Sequence, residues 1–184
     1  MSLHDDVERI LFSEEEIQAG LERVANEIAE AYPDGGFTVV AVLKGSCVFV
    51  ADLIRRIPRP LELAFAAASS YRGGTDPGKL DVLFFPDERE IEGRRLLLVD
   101  DILDSGRTMT ALAAEFMARG AKEVRSCVFL DKPTRRAVEF APDFRCFEVN
   151  DVFVVGYGLD YQGRYRNLPF VGALKPEAIE TTTA

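Results

Sequence analysis

The apolar positions of this chain follow two rhythms, one helical and one extended. Ile17, Leu21, Val24 and Ile28 recur at spacings of four, three and four, one face of an amphipathic helix. Ser13 with Glu16 three residues on forms a capping box ahead of it, and Phe12 is placed to pack on Ile17 as a hydrophobic staple. Pro33 to Gly36 ends the helix. Phe37 to Leu43 is then a nearly unbroken, valine-rich run, as expected of a strand covered on both faces in a parallel sheet. Lys44-Gly45-Ser46 closes it, and Val50, Leu53, Ile54 and Ile57 give a second helical stripe that stops before Pro58. Leu61 to Ala68 and Leu80 to Phe85 read as strands on either side of a glycine-rich loop, and Pro86 to Gly93 as a charged turn. The run from Leu96 leads a strand to about Asp100, followed by a helix with Met109, Leu112, Ala113, Phe116 and Met117 on one face and Gly120 as its C-terminal cap. Val124 to Leu130 and Phe153 to Val155 are further strands, and Asp160 to Leu174 reads mostly as loop. Helices alternating with apolar strands predict an α/β fold, a mainly parallel central sheet flanked by helices. The 184 residues suit a single domain, residues 1–184.

Composition narrows the partners. The net charge is −9, from 31 acidic and 22 basic residues, and no Lys/Arg-rich run is present, so nucleic acid is not an expected ligand. The N-terminus lacks the basic and apolar regions of a signal peptide, and no apolar run approaches the ~18 residues needed to cross a bilayer. A cytoplasmic protein without a membrane partner is the expectation. Cys47, Cys127 and Cys146 are odd in number and widely spaced, which favours small buried thiols over disulfides or a zinc site. His4, the only histidine, lies in a polar terminus, which argues against histidine-based catalysis.

Ligands of open α/β sheets bind beyond the carboxyl ends of the strands. Four polar clusters fall at such ends: Lys44-Gly45-Ser46, Asp100-Asp101 with the loop after it, Asp131-Lys132, and the residues after Val155. The second is the most informative. Strand, two carboxylates, then Asp104-Ser105-Gly106-Arg107-Thr108 and a helix make a turn that can cradle a phosphate, because unpaired N–H groups and the helix dipole favour an anion there. Carboxylates beside it accept hydrogen bonds from hydroxyls and hold hard cations, which suggests a phosphorylated sugar or a magnesium-bound ligand.

The segment LLLVDDILDSGRT, Leu96 to Thr108, closely resembles the ribose-phosphate signature of the type I phosphoribosyltransferases. VLKGSCVFVADLIRRI, SSYRGGT, DKPTRR and FVVGYGLDYQGRYRNLPFVGAL resemble, in the same order, motifs of the hypoxanthine-guanine branch, over roughly Val39 to Leu174. The resemblance implies the fold of that family, with a small hood and a flexible lid loop, and transfer of a phosphoribosyl group from phosphoribosyl pyrophosphate to a 6-oxopurine with Mg²⁺. It implies that Asp104, Ser105, Gly106, Arg107 and Thr108 hold the 5-phosphate, and that Asp104 also acts as general base near the purine N7. Asp100 and Asp101 would bind the ribose hydroxyls and magnesium, and Asp160 a second magnesium. Lys44 and Gly45 would present backbone to the pyrophosphate through a peptide that is often cis in the family. Ser70 and Tyr71 would close over the reaction, Lys132 would donate to the 6-oxo group, Phe153 would stack on the base, Val154 would bond it through its backbone, and Arg166 would hold pyrophosphate. A homodimer or homotetramer is implied as well. Two departures stand out: Asp100 occupies a position where the family commonly has Glu, and the lid is short after Tyr71.

Three other readings share part of this pattern. A phosphoacceptor receiver domain also has an acidic strand end and a later Lys-Pro, but places the acidic pair on its first strand. An RNA-binding regulator of pyrimidine genes shares the fold and phosphate loop, yet usually lacks an acid at the Asp104 position and needs a basic face. A purine enzyme of other base preference, for xanthine or adenine, is the nearest alternative.

Overall fold

The computed structural model describes residues 3–70 and 80–179. A short strand, β1 (Val7–Phe12), precedes helix α1 (Glu14–Ala31). The capping box forms as the sequence predicts: the Glu16 N–H donates to Ser13 Oγ at 3.3 Å and the Ser13 N–H to the Glu16 carboxylate at 2.8 Å. Phe12, however, stacks on Phe147, ring centroids 4.3 Å apart. The chain continues through β2 (Phe37–Leu43), α2 (Cys47–Ile54), β3 (Leu61–Ser70), β4 (Leu80–Phe84), α3 (Glu88–Ile91), β5 (Arg95–Leu103), α4 (Arg107–Ala118), β6 (Glu123–Asp131), β7 (Phe144–Glu148), β8 (Val154–Val155) and β9 (Val171–Leu174).

Six strands form the main sheet in the order β4-β3-β2-β5-β6-β7. All pairs are parallel except β3–β4 at the edge, so the expected mainly parallel sheet is present. A second sheet, β1-β9-β8, is antiparallel and corresponds to the expected hood. The strand period sorts β5 cleanly: Leu97 and Val99 join the core under α1 and α2, while Leu96 and Leu98 join the core under α4. Each such side chain contributes about 1.5–3 kcal/mol by leaving water.

Several elements differ from the sequence reading. The segment expected to be a charged turn contains α3, capped by Asp87 and Glu90, and β5 continues past Asp100 to Leu103. Helix α2 stops at Ile54, although Ile57 is still buried beyond it. Strand β9 lies inside the segment read as loop, because Val171 to Leu174 gain order only by pairing with β1 and β8. Cys127 and Cys146 are buried thiols as expected, but Cys47, the first residue of α2, is exposed. Tyr71 and the rest of the glycine-rich loop through Lys79 lie outside the described residues.

Candidate active site

Parallel strands β2, β5 and β6 end side by side, and each delivers one of the predicted polar clusters. After β2 comes a cis peptide at Leu43–Lys44, one bond earlier than the Lys44–Gly45 bond expected from the family resemblance. The Lys44 side chain is exposed and Gly45 is buried. Gly45 is required by proximity: a Cβ built there would lie 1.6 Å from Asp101 Oδ2. From the other side Gly158 closes in, since its own Cβ would lie 2.3 Å from the Gly45 carbonyl oxygen. Gly158 also has φ +97, a backbone conformation that favours glycine. The loop after β2, the acidic pair and the segment after β8 are thus packed backbone against carboxylate.

In the last half of β5, Asp100 is 9% exposed and Asp101 partly buried. The Asp101 N–H donates to Asp100 Oδ1 at 2.9 Å, and the Ile102 N–H to Asp101 Oδ1 at 3.0 Å. Burial first, then the neighbouring Asp101 carboxylate, pushes Asp100 well above the usual carboxylate range; burial also raises Asp101, opposed by hydrogen bonds and by Arg166. Two buried carboxylates that resist ionising together fit a divalent cation, which would neutralise both. Magnesium is commonly held by one or two carboxylates plus substrate phosphates, so a pair of this kind suffices on the protein side. Among the described residues no three His, Cys, Asp or Glu side chains gather into one cluster.

The loop Asp104-Ser105-Gly106 leads into α4. Gly106 takes φ +82 at the N-cap, and the Thr110 N–H donates back to Gly106 O at 3.0 Å. The amides of the turn before Thr110 thereby sit at an open helix N-terminus. The Ser105 hydroxyl accepts from the Arg107 N–H at 3.4 Å, Arg107 is exposed, and Asp100, Asp104, Ser105, Gly106 and Thr108 line a small cleft of about 70 Å³. The Asp104 carboxylate pairs with Arg135 Nε at 2.9 Å.

Lys132, at the end of β6, is 6% exposed, and its ammonium donates to the Val152 carbonyl at 2.7 Å. Burial lowers its pKa from the ordinary lysine value, against the opposing pull of Asp104 and Asp151. Next to Val152, Phe153 is 43% exposed, with its ring edge-on to Tyr161 at 5.2 Å. Val154 is buried and paired with Ala173. Asp160 and Arg166 face each other: Arg166 Nη2 is 2.7 Å from Asp160 Oδ1, while Asp160 Oδ2 accepts from the Gly163 N–H at 2.8 Å. Ser70 ends β3 opposite Leu80 of β4. Residues that the sequence reading did not single out include Gly158, Arg135, Asp151 and Arg136. Arg135 and Arg136 stood in the quoted DKPTRR motif, but nothing in a string of residues says which way an arginine turns.

These features define a sugar-phosphate transferase, and comparison with known proteins agrees. The phosphoribosyl transferase domain family matches residues 10–162. The chain belongs to the phosphoribosyltransferases, and to their hypoxanthine-guanine branch. It is 44% identical to the hypoxanthine-guanine phosphoribosyltransferase of Bacillus subtilis over 96% of this chain and 98% of that one. The enzyme of the same name from Streptococcus pneumoniae is 38% identical over 95% and 97%. The crystal structure of a hypoxanthine phosphoribosyltransferase from Staphylococcus aureus superposes with TM-score 0.90 at 36% identity, covering 97% of each chain.

Proposed function

We propose that this protein serves purine salvage, transferring the 5-phosphoribosyl group of phosphoribosyl pyrophosphate to hypoxanthine or guanine and releasing pyrophosphate. One observation carries the reading: the strand end that enters the phosphate-type loop is hydrogen-bonded to a lysine whose ammonium is held by the carbonyl preceding an exposed aromatic residue. The Lys132 N–H donates to Leu103 O at 2.9 Å, and the Lys132 ammonium to the carbonyl that precedes Phe153. Ribose 5-phosphate fits the first half and a flat 6-oxopurine the second.

Breaking the C1–pyrophosphate bond builds positive character on the ribose and negative charge on the leaving group. In this reading the amides of residues 105–108 hold the 5-phosphate, and Asp100 and Asp101 accept from the ribose hydroxyls. Lys132 donates to the 6-oxo group, Phe153 stacks on the ring, and the Val154 backbone reads its edge. Asp104 takes the purine proton as the glycosidic bond forms. Asp100 and Asp101 would hold one magnesium ion, and Asp160 a second once Arg166 releases it for pyrophosphate. When bound, magnesium supplies positive charge to the departing pyrophosphate. Lys44 and Gly45 would present backbone to the pyrophosphate, and Ser70 and Tyr71 would close over the reaction to exclude water. The reading carries a cytoplasmic location and a homodimer or homotetramer with it. Among the described residues no helix is long and apolar enough to cross a membrane.

Steady-state assays with hypoxanthine, guanine, xanthine, adenine and uracil test this. Turnover of a 6-oxopurine is expected; turnover of uracil with neither hypoxanthine nor guanine accepted would refute it.

A further inference from the structure

We propose that Arg136 is a positioning residue that locks the phosphate loop to the purine lysine, so that the two substrate halves are aligned as one unit. The proposal rests on the phosphoribosyl-transfer reading above. Arg136 meets both half-sites through their backbone carbonyls, and its side chain is 16% exposed. Its Nη1 donates to Leu103 O at 2.7 Å, Asp104 O at 2.6 Å and Lys132 O at 3.3 Å. Its Nε donates to Phe140 O at 3.0 Å, and Nη2 pairs with the carboxylate of Asp131, which is 2% exposed and also held by Arg145 at 3.0 Å. One guanidinium therefore spans the end of β5, the end of β6 and the chain after it.

The consequence follows from peptide geometry. In a planar trans peptide the C=O and the next N–H point in opposite directions. Holding Leu103 O and Asp104 O on Arg136 therefore turns the Asp104 and Ser105 amides away from the guanidinium, so their direction is set from behind. The Arg136 stem also backs Gly106, whose added Cβ would lie 3.4 Å from Arg136 Cδ. Two backbone bonds continue the seam: Lys132 N–H to Leu103 O and Ala137 N–H to Ser105 O, both 2.9 Å. The carbonyls of Leu103, Asp104 and Lys132 converge on Nη1 while Nε and Nη2 reach Phe140 O and Asp131; a lysine ammonium is a compact point donor and cannot hold that cluster and both outer anchors at once, whereas a planar fork can.

The test compares wild type, Arg136→Lys and, as control, Arg145→Lys, which alters the Asp131 pair but not the carbonyl clasp. Steady-state KM for phosphoribosyl pyrophosphate and for hypoxanthine is measured, with calorimetric titration of phosphoribosyl pyrophosphate alone. Arg136→Lys is expected to raise both KM values and the dissociation constant roughly tenfold each, with the control near wild type. A drop in kcat and melting temperature with both KM values unchanged would mean a merely structural role, and a rise in only one KM would mean the halves are not aligned through Arg136; either overturns the proposal. Should Arg136→Lys not fold, Asp131→Asn, which loosens the Nη2 anchor, is expected to move both KM values the same way by less, and unchanged values would overturn the proposal. If wild type turns over no 6-oxopurine, the functional reading fails by itself, and the titration alone decides whether Arg136 orients the phosphate loop.

Discussion

Asp104 meets Arg135 Nε at 2.9 Å, and Arg135 Nη1 in turn meets Asp151 at 3.0 Å. Both partners of the first pair are about half exposed, 49% and 45%, so it is worth on the order of 0–1 kcal/mol. On the proposed reading, an incoming purine that offers its own N–H displaces Arg135 at little cost and so reaches Asp104, the proposed base. Asp104→Asn is therefore expected to keep phosphoribosyl pyrophosphate binding while losing roughly 10²–10⁴ in kcat; an unchanged kcat would remove the role. Lys132 makes a pH prediction. Burial lowers its pKa, so its proton leaves at a lower pH than that of an exposed lysine. Only the ammonium carries the charge that favours the 6-oxo group, so KM for hypoxanthine should climb on the alkaline side, before an ordinary lysine titrates. Lys132→Ala should show a high KM with no such limb. A wild-type KM that stays level through that range would contradict the assignment.

Among the elements, the turn after β2 is the tightest constraint, because Gly45 lies between the Asp101 carboxylate and Gly158. Its φ is not in the left-handed region, so alanine is compatible with the local backbone, and the atoms nearest its Cβ all belong to the Asp101 carboxylate. Gly45→Ala should fold yet push Asp101 aside, lowering kcat/KM for phosphoribosyl pyrophosphate by more than about tenfold; normal kinetics in the alanine variant would show that Asp101 need not sit there. This contact also marks what the sequence could reveal. Phe37 to Leu43 announced a doubly covered strand, Ser13 and Glu16 a helix start, and Asp104 to Thr108 a turn leading into a helix, since each signal is local in the chain. Strand β9 carried none, because Val171-Gly172-Ala173-Leu174 is ordered between β8 and β1, the latter more than a hundred and fifty residues away. The same holds for the close approach of Gly45 to Gly158 and for the acceptors of Arg136. The acidic pair, the lysine and the exposed ring were legible as residue types, but their neighbours were set by tertiary contact.

The whole molecule brings buried like charges to the mouth of a parallel sheet, beneath a small antiparallel one, and its stability should record that. The folded pKa of Asp100 is raised by burial and by Asp101. A raised folded-state value means that folding favours the protonated form. The associated stability is fully present below the unfolded value, about 4, and is lost as pH rises through the folded one. Without ligand, the melting temperature should thus decline as pH rises from about 4 through the raised value of the pair. Asp100→Asn removes the buried charge, so it should flatten that decline and raise the melting temperature at neutral pH, by roughly 2–4 °C for each kcal/mol relieved. A ligand that binds only the folded state adds stability in proportion to the logarithm of its concentration over its dissociation constant. Magnesium with phosphoribosyl pyrophosphate should therefore raise the wild-type melting temperature, and raise that of Asp100→Asn much less. Thermal melts of both proteins across pH, with and without the two ligands, check the whole set. If wild type melts at the same temperature throughout, or if the variant gains as much from the ligands, the buried pair is not the cation- and ribose-binding wall of this site.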